Sequence, residues 1–334
     1  MNNMDNTKKL ANSAPLIALL IISSLLGTLP FFSLISLSVG PIIVALIYHK
    51  AGKFYTGLSF IVTTILLAVM INPIFGLTIT MLTFIIGAGL IYMIAKNHGV
   101  LLNFVVLTLA IIAGYLAMTF VDITVISQIS ISEFLTTIVD GLKVSMVEIS
   151  KLYEQAGGNI SENPAIVGFQ NLTVQSLLSF IPTVIAMYAI LAATIIYKIA
   201  YIIFNRMGIP LKALPGLSEI KTNMVLVLST LLVAMLGVML VALGVNEAEG
   251  IMHLGNNLFI LSGAVGGISL ISYFMKNKLK YPTIFRIIIL VLIIASSLIT
   301  VVMILGILDS AFDFRRLREN GLYKMLKSKM DNSK

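Results

Sequence analysis

Acidic and basic side chains meet near the C-terminus, where an apolar segment ends. Asp309 and Asp313 are four residues apart, and Arg315 and Arg316 follow closely. Residues four apart lie on one face of a helix, and Asp313 and Arg316 have the i,i+3 spacing of a helical ion pair. We therefore expect the acids to pair with the arginines or with a neighbouring helix. Such an arrangement would anchor the tail of the chain or dock a cytoplasmic partner.

A second group of polar residues lies in an otherwise apolar stretch. His253, Asn256 and Asn257 are spaced as neighbours on a helix, close to an acidic loop that contains Glu247 and Glu249. Imidazole and amide groups both donate and accept hydrogen bonds, so these three residues are a candidate site for a small ligand that enters from outside. Hydrogen bonding between helices, or capping of a helix end, is the alternative interpretation.

The other residue types exclude most catalytic chemistry. The chain has no cysteine, and its three histidines share no metal-ligand spacing, so thiol chemistry and a zinc site are not expected. It has no His-Glu-x-x-His motif, no phosphate-binding loop, and no paired aspartates or Ser–His pair in its apolar segments. We therefore expect no enzymatic activity, no metal and no cofactor. The near absence of ionisable groups within these segments also argues against proton- or sodium-coupled transport.

The composition shows which elements must position these residues. Hydrophobic residues make up 58% of the 334 residues and charged residues 11%, against roughly 45–50% and about 25% in soluble proteins. Apolar runs long enough to cross a bilayer, about 20 residues each, recur along the chain. We predict an all-α fold, a polytopic bundle of eight or nine transmembrane helices at 14–30, 31–48, 54–72, 74–95, 99–121, 180–204, 223–245, 252–275 and 284–308.

The distribution of charge predicts the orientation of the bundle. Lysine and arginine cluster in short loops within 49–53, 96–98, 205–221 and 276–286, as in cytoplasmic loops of membrane proteins. This pattern places the N-terminus inside and residues 122–171 outside. It also accounts for the net charge of +8 without nucleic acid as a partner.

The number of spans stays open at one point. Nine spans would put the C-terminus outside, although the tail is rich in lysine and arginine. If the segment 252–275 were broken at its glycine-rich stretch 262–267 into a re-entrant pair, eight spans would remain and the tail would be cytoplasmic. The alternatives are therefore eight spans with a broken segment and nine spans with a continuous one.

The outer segment has the pattern of an amphipathic helix at about 130–156. Ser130 and Glu133 form a capping-box pattern, apolar residues then recur at helical spacing, and Gly157–Gly158 is typical of a helix end. This helix would either lie on the outer leaflet or cover the bundle as a lid. We divide the chain into a five-helix membrane block (1–121), the acidic outer segment (122–171), a membrane block of three or four helices (172–308) and a basic cytoplasmic tail (309–334).

The end of the last apolar segment resembles a known family. Its residues Gly306, Ile307, Leu308, Asp309, Asp313, Phe314, Arg315 and Arg316 are similar to the closing motif of the YybS-type predicted membrane proteins of Gram-positive bacteria. Asn257, Pro41 and Gly52 also fit that family. The family is a domain of unknown function and is distantly similar to the S components of energy-coupling-factor transporters, which bind a vitamin or a metal from outside.

The resemblance implies a multi-pass protein of the bacterial cell membrane and a way of docking. S components dock on a coupling subunit through small residues of their first helix, and Ala14 and Ala18 match that pattern. The first functional hypothesis is therefore a transport-associated, solute-binding component whose energy comes from partner proteins. The alternative is a membrane scaffold or regulatory protein that contacts other envelope proteins and moves no solute.

Overall fold

The computed structural model of the chain is built from helices. It describes residues 3–29, 32–96, 98–155, 157, 172–245, 248–295 and 298–315, and no residue in these ranges is in a β-strand. Its α-helices are α1 (Asn3–Leu26), α2 (Ser33–Ala51), α3 (Lys53–Met70), α4 (Pro73–Lys96), α5 (Val100–Val121), α6 (Ile131–Gln155), α7 (Val174–Arg206), α8 (Met224–Ala242), α9 (Glu249–Asn277), α10 (Thr283–Ala295) and α11 (Ile299–Phe312). The predicted all-α helical bundle is confirmed.

Seven of these helices are long and apolar enough to cross a membrane, namely α1, α3, α4, α5, α7, α8 and α9. Apolar segments of α2, α10 and α11 are shorter. The predicted single span 284–308 corresponds to two short helices, because α10 ends at Ala295 and α11 begins at Ile299.

The glycine-rich stretch of α9 does not break the helix. α9 runs without interruption from Glu249 to Asn277, so the broken, re-entrant alternative for 252–275 is wrong. The physical reason lies in packing: a Cβ atom on Gly263 would lie 2.7 Å from a side-chain carbon of Met303, and one on Gly266 would lie 3.2 Å from the Cα of Gly306. The glycines therefore serve close contact between α9 and α11.

The chain divides into two compact units. The first contains residues 1–174 and 184–214, and the second contains residues 175–183 and 215–334. In the first unit, α2, α4, α5 and most of α7 contribute buried residues to an apolar core whose fully buried members include Ile86, Leu107 and Tyr197. In the second, α9 packs against α8 and α11. Gly255 and Gly237 let α9 and α8 approach at backbone distance.

Close contacts set the register of α1 to α4. Gly76 of α4 faces α3, since its Cβ would lie 2.6 Å from the amide nitrogen of Ala68. The rings of Phe60 and Phe84 meet edge to face at 5.1 Å, so α3 and α4 are antiparallel. Gly40 of α2 likewise faces Thr83 of α4, at 2.9 Å. A methyl group of Leu20 on α1 lies 3.7 Å from the same Cβ position of Gly40. These contacts fix which residues of the four helices lie at the same level.

The outer amphipathic helix begins with the predicted capping box. The backbone N–H and the hydroxyl of Ser130 donate to the carboxylate of Glu133, at 2.8 and 3.0 Å, and the backbone N–H of Glu133 donates to the Ser130 hydroxyl at 3.1 Å. Both donors stabilise the ionised carboxylate, which lowers the pKa of Glu133 below its ordinary value. α6 then continues for 25 residues to Gln155, as expected for about 130–156.

This cap makes the stability of the first turn of α6 depend on pH. Since the folded pKa of Glu133 is lowered, its stabilisation is present above the ordinary glutamate pKa and is lost as the pH falls through the folded value. We expect amide hydrogen exchange at residues 131–135, corrected for intrinsic rates, to accelerate in that acidic window. Glu133→Gln preserves the box and should remove the pH dependence. Equal acceleration in both proteins would contradict this assignment.

The crossing of α9 and α11 leaves no room for a side chain at Gly306. A Cβ at this position would overlap the backbone of Gly263 and Gly267, so Gly306→Ala should destabilise the protein by about 1–3 kcal/mol through overpacking. Gly57→Ala is the control, because nothing lies within 4 Å of its Cβ position, and it should be neutral or stabilising by up to about 1 kcal/mol. Thermal unfolding in detergent measures both, and equal midpoints would contradict the close crossing.

Candidate functional site

A buried ion pair joins Asp309, in the last turn of α11, to Arg315, which lies three residues after the end of that helix. Nε and Nη2 of Arg315 donate to Oδ2 of Asp309 at 3.0 and 2.7 Å. Both side chains are almost fully buried, with exposures of 2% and 4%. Of the pairings that the sequence allows for Asp309, the structure has the one with Arg315. A buried charge needs such a partner, because desolvation otherwise makes it very costly.

Arg315 also binds two other segments of the second unit. Its Nη1 donates to the hydroxyl of Ser269 in α9 at 2.6 Å and to the carbonyl of Ser218 at 3.4 Å, and its Nη2 donates to the carbonyl of Ile220 at 3.0 Å. A guanidinium group has five N–H donors, and these five hydrogen bonds use them all. The Arg315 cluster (Arg315, Asp309, Ser269, Ser218 and Ile220) therefore ties α11, α9 and the loop before α8 together.

Asp313 occupies a different position from the predicted one. α11 ends at Phe312, and Asp313 adopts a left-handed conformation with φ 53° and ψ 54°. Its backbone N–H donates to the carbonyl of Asp309 at 2.9 Å, and its side chain is buried. The expected i,i+3 pair of Asp313 and Arg316 requires both residues to be helical. Asp313 lies after the end of the helix, so this expectation is wrong for Asp313. Arg316 and the rest of the predicted basic tail, 316–334, lie outside the described residues.

Of the three predicted ligand-binding residues, His253 and Asn257 contact residues of α7, whereas Asn256 is exposed. The ring of His253 lies 4.9 Å from that of Phe180, and the amide nitrogen of Asn257 donates to the hydroxyl of Thr183 at 3.4 Å. One turn before His253, Glu249 accepts from the hydroxyl of Ser179 at 3.4 Å. These contacts agree with the alternative interpretation, hydrogen bonding between helices. Asn256 is exposed and does not share this face.

The small residues at the start of α1 lie on its exposed face. Ala14 and Ala18 are both exposed, as is Ile22 one turn further along the helix. The same helix buries Ser13 and Leu20 completely against its neighbours. The structure therefore keeps the two alanines on a surface that lipid or another helix can reach.

Hydroxyl groups within the first unit form the polar feature that the sequence analysis missed. Buried serines and threonines occur on α1 to α4: Ser13, Ser23, Ser24, Ser36, Ser38, Thr56, Ser59, Thr63, Thr78, Thr80 and Thr83. Between α5 and α7, the hydroxyls of Tyr115 and Tyr188 meet at 2.8 Å. The spacing of Thr56, Ser59 and Thr63 at i, i+3 and i+7 was the available signal for a polar helix face. The inside of this unit is therefore rich in hydrogen-bonding groups.

Comparison with known proteins identifies the family. The family model described as "Predicted membrane protein (DUF2232)" matches residues 16–310, which is most of the chain. The chain belongs to this family. The match includes Asp309 and ends before Asp313 and Arg315, so the partner of the buried carboxylate lies beyond the matched region. None of the curated proteins matches the chain, and neither does any solved structure.

No group of three or more His, Asp or Glu side chains that could hold a metal is present among the described residues. The buried acidic and basic side chains in the same part of the chain are Asp309, Asp313 and Arg315, all near the end of α11. The Arg315 cluster is therefore arranged to hold segments together, and the hydrogen-bonding groups inside the first unit remain as candidates for solute contact.

The buried pair should matter far more for folding than an exposed pair in the same unit. Arg315→Ala or Asp309→Ala leaves the opposite charge buried without its partner, at a cost of about 3–5 kcal/mol. Lys276 and Glu219 pair at 3.3 Å with side-chain exposures of 47% and 58%, so Glu219→Ala should cost only about 0–1 kcal/mol. Membrane abundance and thermal unfolding of the three variants test this difference.

The same variants separate a structural role from a chemical one. We expect Asp309→Ala to lower abundance and residual function together. Normal abundance with complete loss of function would contradict the structural role. Arg315→Lys should recover only part of the stability, because an ammonium group has three donors where the guanidinium group has five.

Proposed function

We propose that this chain is the solute-binding component of a membrane transport system, with energy supplied by partner proteins. The observation that carries the proposal is the hydroxyl-rich interior of the first unit. Buried hydroxyls in a membrane protein serve close packing and hydrogen bonding between helices, and the same groups can donate to and accept from a polar solute. The same interior offers no catalytic group, so the proposal includes no enzymatic activity.

The distribution of charge supports an external source of energy. Between Leu10 and Tyr48, and between Phe54 and Ala95, the sequence has no Asp, Glu, Lys, Arg or His. The first unit therefore has no mid-span carboxylate on α1 to α4 for coupling to protons or sodium. The chain also has no nucleotide-binding motif. A transport system that includes this protein would take its energy from a partner with ATPase activity.

Exposed small residues of α1 supply a candidate docking surface for that partner. The side chains of Ala14 and Ala18 are exposed and small, so another helix can approach the backbone of α1 closely. This is the position at which the resemblance to S components implies contact with a coupling subunit. We place the protein in the bacterial cell membrane, with the bilayer and a coupling subunit as partners and without nucleic acid.

A scaffold or regulatory role in the cell envelope is the second candidate. α6 favours it, because apolar residues such as Ile131, Val144 and Leu152 are more than 60% exposed on this outer helix. Exposed apolar faces of this kind bind the surface of a membrane or another protein. Under this alternative the hydroxyls of the first unit would serve helix packing only.

Co-purification distinguishes the two candidates. The protein is extracted in mild detergent from a native-like host, and the proteins that accompany it are identified by mass spectrometry. Recovery of a coupling subunit with its ATPases, in a fixed ratio, is expected for the transport component. Ala14→Leu with Ala18→Leu should abolish that recovery, whereas Gly57→Leu on α3 should not. Recovery of envelope proteins alone, or of no partner, would contradict the transport role.

A further inference from the structure

Four hydroxyls on α1, α3 and α4 lack hydrogen bonds although they are buried. The hydroxyl oxygens of Ser23, Thr63, Thr64 and Thr80 make no hydrogen bond to any residue that the structure describes. Ser23, Thr63 and Thr80 are more than nine-tenths buried, with exposures of 6%, 1% and 1%. A buried hydroxyl without a partner costs free energy, because it has lost its hydrogen bonds to water.

Neighbouring hydroxyls on the same helices are bonded. Ser24 donates to the carbonyl of Leu20 at 2.9 Å, and Thr78 donates to that of Ile74 at 3.0 Å. On α3, Ser59 donates to the carbonyl of Thr56 at 2.7 Å. Bonding to the preceding turn is the usual solution for serine and threonine in a helix. The unbonded hydroxyls therefore differ from their neighbours in geometry, although the residue types are the same.

The unbonded hydroxyls lie at one level of the bundle. On α3 and α4, Thr64 and Thr80 are midway between the contacts Phe60–Phe84 and Ala68–Gly76, so they lie at the same level. Thr63 is adjacent on α3. We name Ser23, Thr63, Thr64 and Thr80 the hydroxyl layer.

The position of Ser23 follows from two contacts between α1 and α2. A Cβ on Gly27 would lie 2.8 Å from the Cβ of Ser36, and one on Gly40 would lie 3.7 Å from a methyl group of Leu20. Ser23 is therefore level with the middle of the α2 segment 36–40. Since Gly40 is level with Thr83 of α4, Thr80 and Ser23 fall within about one helical turn of each other.

The layer is close to the outer end of the first unit. Ser23 precedes the end of α1 at Leu26, and Thr80 is seven residues from the start of α4 at Pro73, or about 10 Å along the helix axis. The basic residues of these helices, Lys50, Lys53 and Lys96, are at the opposite end. By the positive-inside rule the layer is therefore on the extracytoplasmic side.

The chemistry of the layer selects an uncharged ligand. Each hydroxyl supplies one donor and two acceptor sites, and the surrounding spans contain no Asp, Glu, Lys, Arg or His between Leu10 and Tyr48 or between Phe54 and Ala95. A charged group at this level would lack a partner of opposite charge and would pay a large desolvation cost. A small molecule with hydroxyl, amide or ring carbonyl groups would satisfy the hydroxyls without that cost.

We infer that the hydroxyl layer is the contact surface of a site for a small, uncharged, hydrogen-bonding solute that enters from the outer face. This inference rests on the proposed function and names the class of its solute. It assigns the site to α1, α3 and α4 of the first unit.

Single-cysteine chemistry tests the site directly, because the natural chain has no cysteine. Ser23→Cys, Thr63→Cys and Thr80→Cys are compared with the controls Ser24→Cys and Thr78→Cys, whose natural hydroxyls are buried and bonded. The full-length protein in lipid nanodiscs is treated with uncharged methyl methanethiosulfonate, or with reagents carrying a sulfonate or a trimethylammonium group. Mass spectrometry follows the rate of modification.

The layer and control positions are equally buried, so a difference in rate reports a path for solute. The uncharged reagent should modify the layer positions about tenfold faster than the controls, because a path that admits the solute also admits the reagent and thiol reactivity follows access. The charged reagents should modify all positions slowly. Equal rates at the layer and control positions would overturn the site, and rapid modification by a charged reagent would overturn the solute class. Failure of the proposed function gives a different result. If the layer cysteines react as expected but no coupling subunit co-purifies with the protein, the polar site is retained and its transport role is contradicted.

Discussion

The cost of an unpaired polar group in hydrocarbon governs this structure. In a bilayer each backbone and side-chain polar group must find its partner within the protein. Helices satisfy the backbone, six serines and threonines on α1, α3 and α4 bond to the preceding turn, and Arg315 uses all five of its donors. Against this general satisfaction, the hydroxyl layer is an exception. Exceptions of this kind are expected where a protein reserves groups for function.

The two units meet the same constraint by different means. In the second unit, glycines bring the backbones of α9 and α11 into contact, and the Arg315 cluster closes the end of that crossing with buried hydrogen bonds. These interactions hold segments in place and leave Arg315 no donor for a ligand. In the first unit, contacts at Gly40 and Gly76 bring α1 to α4 close enough to bury hydroxyls at one level. Packing is therefore the role of the second unit's buried charges, and recognition is the role that we assign to the first unit's hydroxyls.

Local patterns in the sequence predicted much of the fold, because they depend on neighbouring residues. Apolar length predicted most of the spans, and Ser130 with Glu133 predicted the start of α6. The split of 284–308 was missed. Whether the glycines of 262–267 break their helix or pack it against another stayed open, since the two kinds of glycine look alike in sequence. The hydroxyl layer could not be predicted either. Ser23, Thr63 and Thr80 are far apart in the chain, and only the register of three helices places them at one level.

The free energy of unfolding of Thr80→Val, compared with that of Thr78→Val, tests the central claim most directly. Both threonines are buried on α4 with exposures of 1% and 3%, and only the hydroxyl of Thr78 has a partner among the described residues. The account predicts that Thr80→Val raises the free energy of unfolding by about 1 kcal/mol, because it removes an unsatisfied polar group, and that Thr78→Val lowers it by about 0.5–1.5 kcal/mol. If Thr80→Val lowers stability as much as Thr78→Val does, its hydroxyl is bonded within the fold, and the claim that it is reserved for a solute is contradicted.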